Sequence, residues 1–376
     1  MEALSEATKR LAVYYGPALL EYDFGPQHPF GAGRARLTYQ LIEAVGLLDQ
    51  PNVTLLPPTP ADKDLVCLFH TQEFFDFVQN ACVRGYGFLD GGDTPAMEGG
   101  LEAAMTVVGT SCAAVEAIMR GETDYAFTIV GGLHHAFPGR ASGFCVFNDL
   151  GVVIKKLRRD WGVKRIAYID IDAHHGDGVM YSFYDDPNLL TVDFHEDGRY
   201  LFPGTGSLHE FGRAEAELTK FNLPMPPYSG DQSFIGAFDR LVPPLLRRFQ
   251  PEIILLQTGV DAHNGDPLTE MNYSSATYLH TVRNLKALAG ELCNNRLAVF
   301  GGGGYSIETC ALRWTQVAAE LADFVLPDRL PPSWRESYQR TTHEEAVVSF
   351  EEAFTTDNTT ARVEKMVDWF IEKVNL

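Results

Sequence analysis

A chain of 376 residues, 45% hydrophobic and 21% charged, is long enough to bury one large core or two ordinary ones. With 50 acidic residues against 30 basic ones, its formal charge of −20 repels phosphate backbones, argues against direct nucleic-acid binding, and favours cationic substrates such as lysine side chains and polyamines. The six cysteines are scattered without a Cys-x-x-Cys pair, the stretch from Met1 to Arg10 is polar, and no apolar run reads as long enough to cross a membrane. We therefore expect a cytoplasmic protein with no disulfide framework, thiolate zinc site, signal peptide or membrane partner.

The first strand runs from Leu11 to Tyr15, and a loop rich in Gly, Pro and aromatics follows from Glu21 to Gly33. Arg34 to Leu48 has helical period, with Leu37, Leu41 and Val45 on one face. Val53 to Leu56 is a short strand, Leu65 to Val83 is helical, and Gly85 to Gly100 is a long loop of the kind that is usually functional. Leu101 to Met119 is a helix, and Tyr125 to Val130 is a strand that ends in Gly131-Gly132-Leu133-His134-His135. After the loop from Arg140, Asp149 caps a helix to Trp161.

Arg165 to Ile169 is a buried strand. It turns abruptly polar from Asp170 to Gly178, and a short helix from Val179 to Asp185 follows. Leu189 to Phe194 and Lys220 to Leu223 are strands on either side of a loop from Asp197 to His209. Asp231 to Phe249 is an amphipathic helix that Pro243 and Pro244 should kink or break. Glu252 to Gln257 is a strand that runs into Asp261, Ser274 to Leu292 a helix, and Leu297 to Phe300 the last strand, ending in four glycines and Tyr305. Ile307 to Leu321 is a helix, and the tail wraps outside and closes with a helix from Thr360 to Val374. Apolar strands alternating with helices give an α/β fold: a single three-layer α/β/α domain with an eight-stranded parallel sheet. It covers residues 1–376, with 323–376 as a C-terminal wrapping extension.

Four polar bursts follow four apolar strands: His134-His135, Asp170 to Asp177, Asp261, and Gly301 to Tyr305. In a parallel sheet these arrive at one edge, where α/β folds bind ligands. Asp172 and His174 share a face of an extended chain and, with Asp261, form an oxygen-rich set of three metal ligands. Zinc is the first expectation, and iron(II) fits the same donors. Adjacent histidines suit general acid and base roles better than shared metal ligation, and Asp170 and Asp177 are available to orient them. Tyr305, after glycines that let the backbone approach a ligand, can donate to an oxyanion.

Gly132-Leu133-His134-His135-Ala136, Ala141-Ser142-Gly143-Phe144-Cys145, the run from Asp170 to Gly178, Phe202-Pro203-Gly204-Thr205-Gly206 and Gly301 to Tyr305 together resemble the histone deacetylase superfamily, most nearly its prokaryotic acetoin-utilisation-type and histone-deacetylase-like amidohydrolases. The resemblance runs from about His28 to Trp314. It implies the arginase–deacetylase fold, zinc at Asp172, His174 and Asp261, and hydrolytic removal of acetyl or other short acyl groups from lysine side chains. It implies His135 as general base with Asp177, His134 backed by Asp170, and Tyr305 as oxyanion donor. Gly143, Phe144 and Phe202 would line a tunnel for the acyl-lysine stem, and Asp93 would hold the substrate backbone at the rim. It further implies a structural potassium ion at carbonyls around Asp170, Asp172, His174 and Phe194, although Asp193 stands where relatives often place a serine. Leu268 occupies a position where a polyamine-selective relative carries an acid, so an acyl-lysine protein or peptide is expected over a small acetylated amine. An acetylpolyamine deacetylase, a manganese ureohydrolase and a non-catalytic acyl-lysine binder are the competing readings, and an oligomer is compatible with all of them.

Overall fold

The computed structural model describes residues 9–375, so most of the polar stretch from Met1 to Arg10 lies outside the described residues. Eight strands, β1 (Leu11–Tyr14), β2 (Val53–Leu56), β3 (Tyr125–Thr128), β4 (Ile166–Asp170), β5 (Leu189–Glu196), β6 (Lys220–Met225), β7 (Ile253–Gln257) and β8 (Leu297–Phe300), form one sheet in the order β2-β1-β3-β8-β7-β4-β5-β6. Every pairing is parallel. β4, β5 and β7 are buried along their whole length, as a sheet covered on both faces demands of its central strands. The four strands that end in polar bursts, β3, β8, β7 and β4, are consecutive in this order, so the bursts lie side by side.

The flanking helices begin with α1 (Gly33–Ala44). The helical stretch expected from Leu65 to Val83 is two helices, α2 (Lys63–Val66) and α3 (Gln72–Arg84). Asp62 and Thr71 each cap a fresh start by accepting the N–H three residues on, which divides the pattern. α4 (Gly100–Met119) is as long and apolar as a membrane-crossing helix, contrary to the expectation that no such run exists. It is a core helix here, with 78% of that stretch buried inside the fold against β3, β8 and α5 (Asp149–Trp161). Gly109 permits this: a Cβ there would lie 2.1 Å from the carbonyl oxygen of Thr59.

The cap of α5 is Asn148, whose Oδ1 accepts the Gly151 N–H at 2.8 Å, and not Asp149. The Asp149 carboxylate turns inward to accept the N–H groups of Gly132 and Leu133 at 3.0 and 2.7 Å, which fixes the chain just before the tandem histidines. α6 (Asp177–Ser182) starts two residues before the expected Val179. α7 (Asp231–Phe249) runs unbroken through Pro243 and Pro244. The carbonyls the prolines leave unpaired belong to the exposed residues Asp239 and Arg240, where water can satisfy them, while Leu241, Val242, Leu245 and Leu246 are buried.

α8 (Ser275–Leu292) packs between α7 and α9 (Ile307–Leu321), and α9 also packs on α1. The tail holds a helix that its prolines concealed, α10 (Pro332–Thr342), with Pro332 at the first helical position where a missing N–H costs nothing. Its Trp334 and Tyr338 join Leu37, Leu41 and Leu312 in a second small core, and Trp334 Nε1 donates to the Leu37 carbonyl at 2.8 Å. α11 (Thr360–Val374) lies on α7 and β6. All six cysteines are unpaired.

Candidate active site and metal centre

β4 and β7 are neighbours, so the turns that leave them meet. Asp172 and His174 come from the first and Asp261 from the second, and their ligand atoms all lie within 4.8 Å of one another. His174 Nδ1 is 2.9 Å from Asp261 Oδ2 and 3.2 Å from Asp172 Oδ1. Asp172 Oδ2 accepts from Gln257 Nε2 at 2.7 Å and from the Gly303 N–H at 2.8 Å, and Asp261 Oδ1 accepts the Ala173 N–H at 2.8 Å. The backbone presses so close that a Cβ on Gly303 would meet Asp261 Oδ2 at 2.1 Å, and one on Gly259 would meet Asp172 Oδ2 at 2.0 Å.

Burial opposes the charge on Asp172, but His134 and His174 hold its carboxyl well below the usual carboxylate range. Burial and then Asp172 raise Asp261 to about 7. Burial disfavours an imidazolium at His174, yet the hydrogen bonds to Asp172 and Asp261 outweigh it and raise that ring to about 10. Two carboxylates therefore draw positive charge to one imidazole nitrogen inside the protein. The same field would favour a divalent cation, which would take the place of the proton on that nitrogen. Two oxygen donors and one imidazole, all buried and without a thiolate, suit a three-ligand metal centre that leaves positions for water and substrate.

After β3, the Gly131-Gly132 turn delivers the histidines. His134 Nδ1 lies 2.8 Å from Asp170 Oδ2 and His135 Nδ1 lies 2.7 Å from Asp177 Oδ1. Each aspartate anchors Nδ1 and turns Nε2 inward, and the two Nε2 atoms are 3.1 Å apart. His134 Nε2 is also 3.9 Å from Asp172 Oδ1, so the pair adjoins the metal cluster. Burial and then His134 lower the pKa of His135 against the pull of Asp177, which leaves it a neutral ring able to accept a proton. Burial and the carboxylates of Asp193 and Asp172 push Asp170 well above the ordinary range. Asp193 is itself engaged, with Oδ1 2.6 Å from His195 Nδ1 and Oδ2 accepting the Gly176 N–H at 2.9 Å.

Tyr305 closes the cluster on the β8 side. Burial and then Asp261 and Asp172 raise its phenol well above 10, so it remains a neutral donor. Its N–H donates to Asp266 Oδ2 at 2.7 Å, and its ring stands edge-on 6.2 Å from His174. Arg34 braces the glycine turn by donating to the carbonyls of Gly302 and Gly304 at 2.9 and 3.0 Å, while its guanidinium rests 3.5 Å over Phe30. A cleft lined by His134, His135, Gly143, Asp172, Gly303 and Tyr305 brings these groups to one space.

Phe202 stands edge-on 5.1 Å from His135, and Phe144 stands 5.8 Å from Tyr305. Gly143 fits between them because a Cβ there would lie 2.6 Å from the His135 ring and 2.8 Å from Phe202. Asp93 sits on the loop after α3, beside Asp90, whose Oδ1 accepts the N–H groups of Gly92, Asp93 and Thr94. Partial burial and then Asp90 raise Asp93 to about 6. Leu268 is part-exposed on the loop that follows Asp261.

The sequence reading missed Arg34, Gln257 and Asp266. Gln257 had a signal, as the one amide at the end of an apolar strand. Arg34 and Asp266 bond to backbone groups far along the chain and left no local pattern.

The sequence pattern of the histone deacetylase domain matches residues 28–321. The acetoin utilization protein AcuC of Bacillus subtilis (strain 168) is 36% identical over 335 residues, covering 87% of this chain and 86% of that protein. The AcuC proteins of Staphylococcus aureus (strain MSSA476) and Staphylococcus xylosus are each 34% identical, over 341 and 346 residues, and cover 88% and 89% of this chain and 87% and 89% of their own.

Proposed function

This chain belongs to the histone deacetylase superfamily, acetoin-utilisation type, and is a deacetylase of the hydrolase class; we propose that it removes acetyl or other short acyl groups from lysine side chains of proteins or peptides by a metal-dependent route. Asp172, His174 and Asp261 would hold the divalent ion, with zinc our assignment and iron(II) compatible with the same donors. When bound, that ion polarises the amide carbonyl and acidifies a water molecule. His135 takes the proton of the attacking water at Nε2, with Asp177 holding its tautomer. His134, backed by Asp170, delivers a proton to the departing amine. Tyr305 donates its phenol O–H to the oxygen on which negative charge develops. Phe144 and Phe202 guide the straight methylene stem, over Gly143. A potassium ion at the carbonyls of Asp170, Asp172, His174 and Phe194, and a cytoplasmic location, belong to the same reading.

The observation that carries it is the pair of inward-facing Nε2 atoms 3.1 Å apart, each imidazole backed by its own carboxylate, beside the three-ligand cluster. An acyl-lysine binder has no use for a base so oriented, and a ureohydrolase needs those histidines for a second metal. Among substrates, the apolar Leu268 gives a polyamine's distal ammonium no carboxylate at that position, whereas the Asp93 carboxylate suits peptide N–H groups. Side-by-side kcat/KM values on an acetyl-lysine peptide and an acetylpolyamine test the choice. The peptide is expected to win, and a clear win for the polyamine makes the protein an acetylpolyamine deacetylase.

A further inference from the structure

The segment after α9 lies beyond the stretch that matches the family pattern, which ends at residue 321, yet it reaches the site. Between α10 and α11 the chain crosses the loop that carries Asp261. There Glu352 Oε1 lies 2.7 Å from His263 Nε2, and Oε2 accepts from Arg313 Nη1 at 2.9 Å and from the Ser275 N–H at 2.8 Å. His263 and Arg313 are buried, so this carboxylate is the counter-charge for a guanidinium that has left water. The other ring nitrogen of His263, Nδ1, accepts the Gly265 N–H at 3.0 Å. Held at both nitrogens, the ring has one tautomer and one orientation.

His263 stands two residues after Asp261. Gly265 precedes Asp266, whose Oδ2 accepts the Tyr305 N–H. Hydrogen bonds and the short stretch of backbone between them thus join Glu352, through His263, to the cluster aspartate on one side and to the Tyr305 N–H on the other. The Glu352 end is itself anchored. Phe350 is buried in the second core, the Thr355 N–H donates to Asp231 Oδ2 at 2.8 Å, and Asp357 accepts the Gly230 N–H at 2.8 Å and Ser233 Oγ at 2.7 Å.

We propose that Glu352 is a positioning residue for the reaction: through His263 it sets the 261–266 loop, and so places both the Asp261 carboxylate and Tyr305. This rests on Asp261 as metal ligand and Tyr305 as oxyanion donor. A partner that hydrogen-bonds a metal ligand directly is worth about 10- to 100-fold in metal affinity or activity, and Glu352, acting one step further out through His263, is assigned the low end of that range. A carboxylate that only tied down the tail would lower Tm and leave turnover by the folded molecules unchanged.

The test uses the full-length zinc-loaded protein, with kcat and KM on an acetyl-lysine peptide and the rate of zinc transfer to a chelating dye, both well below Tm. Glu352→Ala is expected to lower kcat about 10-fold with KM within about twofold, and to release zinc about 10-fold faster. Glu352→Asp keeps a charge for Arg313 but withdraws it from His263, and is expected to show the same two changes at smaller size; it decides the matter if the alanine variant does not fold. Asp357→Asn, which loosens the same segment without touching the loop, is expected to lower Tm alone. Wild-type kcat and zinc release in the Glu352 variants, beside an Asp261→Asn protein that holds no zinc, overturn the role of Glu352 only. An Asp261→Asn protein that keeps its zinc overturns both this inference and the site assignment beneath it.

Discussion

Asp172 at the floor of the site and Asp93 at its rim are both aspartates near the same cleft, and they are held in opposite ways. The oxygens of Asp172 accept from Gln257, Gly303 and the His174 N–H, all within 2.9 Å, on turns leaving central strands. Asp93 is held by its backbone: its N–H donates to Asp90, and its carbonyl lies 3.0 Å from His28 Nε2. Its carboxyl group has a 3.4 Å contact with Thr94 and shares its surroundings with the Asp90 carboxyl beside it. The floor group keeps an acceptor direction on Oδ1, toward His174 Nδ1, and has the rest of its geometry over-determined, as chemistry requires. The rim group is held more loosely, and in the proposed reading its carboxylate is what would meet a peptide arriving from outside.

The hardest way to break the contrast is at the floor. Asp261→Asn or His174→Ala should lose bound metal and deacetylation together, down to background, measured as zinc content and acetate release. His135→Ala and Tyr305→Phe come next. Each should keep its metal while kcat falls by roughly 10²–10³, the usual cost of one oxyanion donor and within the range for a general base. Near-normal turnover in Tyr305→Phe would mean the oxyanion is held otherwise.

At the rim the effect should be smaller and fall on KM. Asp93→Ala should raise KM for peptides about 10-fold, in keeping with about 1.5 kcal/mol at the low end for a hydrogen bond to a charged acceptor, and leave small acetylated amines nearly unchanged. Because Asp93 is raised to about 6, the wild-type carboxylate takes up a proton as pH falls through that value. Peptide KM should then rise between pH 7 and pH 5 in the wild type, and this component should be absent from Asp93→Ala over the same range. Smallest is the effect of the −20 net charge: added salt should lower kcat/KM for a cationic peptide by a few-fold at about 0.5 M and scarcely affect a neutral one.

The floor was legible in the sequence for the reason it is rigid. Each of its groups follows a continuous apolar strand, and a parallel sheet brings all such ends to one edge. The apolar period of α1 showed Leu37 and Leu41, but not that Arg34 would spend its charge on carbonyls 268 and 270 residues away. Asn148 and Asp149 are equally good caps in isolation, and only the nearby N–H groups of Gly132 and Leu133 decide which one turns inward. Pro243-Pro244 read as a break because propensity is local, while the buried leucines that carry α7 past them are not. Glu352 and Asp266 act on groups remote in sequence, and no motif marks them.

The 3.1 Å between the Nε2 atoms of His134 and His135 has a further consequence. At that separation the contact is a hydrogen bond when one nitrogen carries a proton and the other does not, so in the proposed reaction a proton could pass directly between the rings. In the proposed reaction one ring gains a proton from water while the other gives one to the amine. The pair then behaves as a relay with an input port and an output port, and it can reset by a hop along that short contact without exchange with bulk solvent.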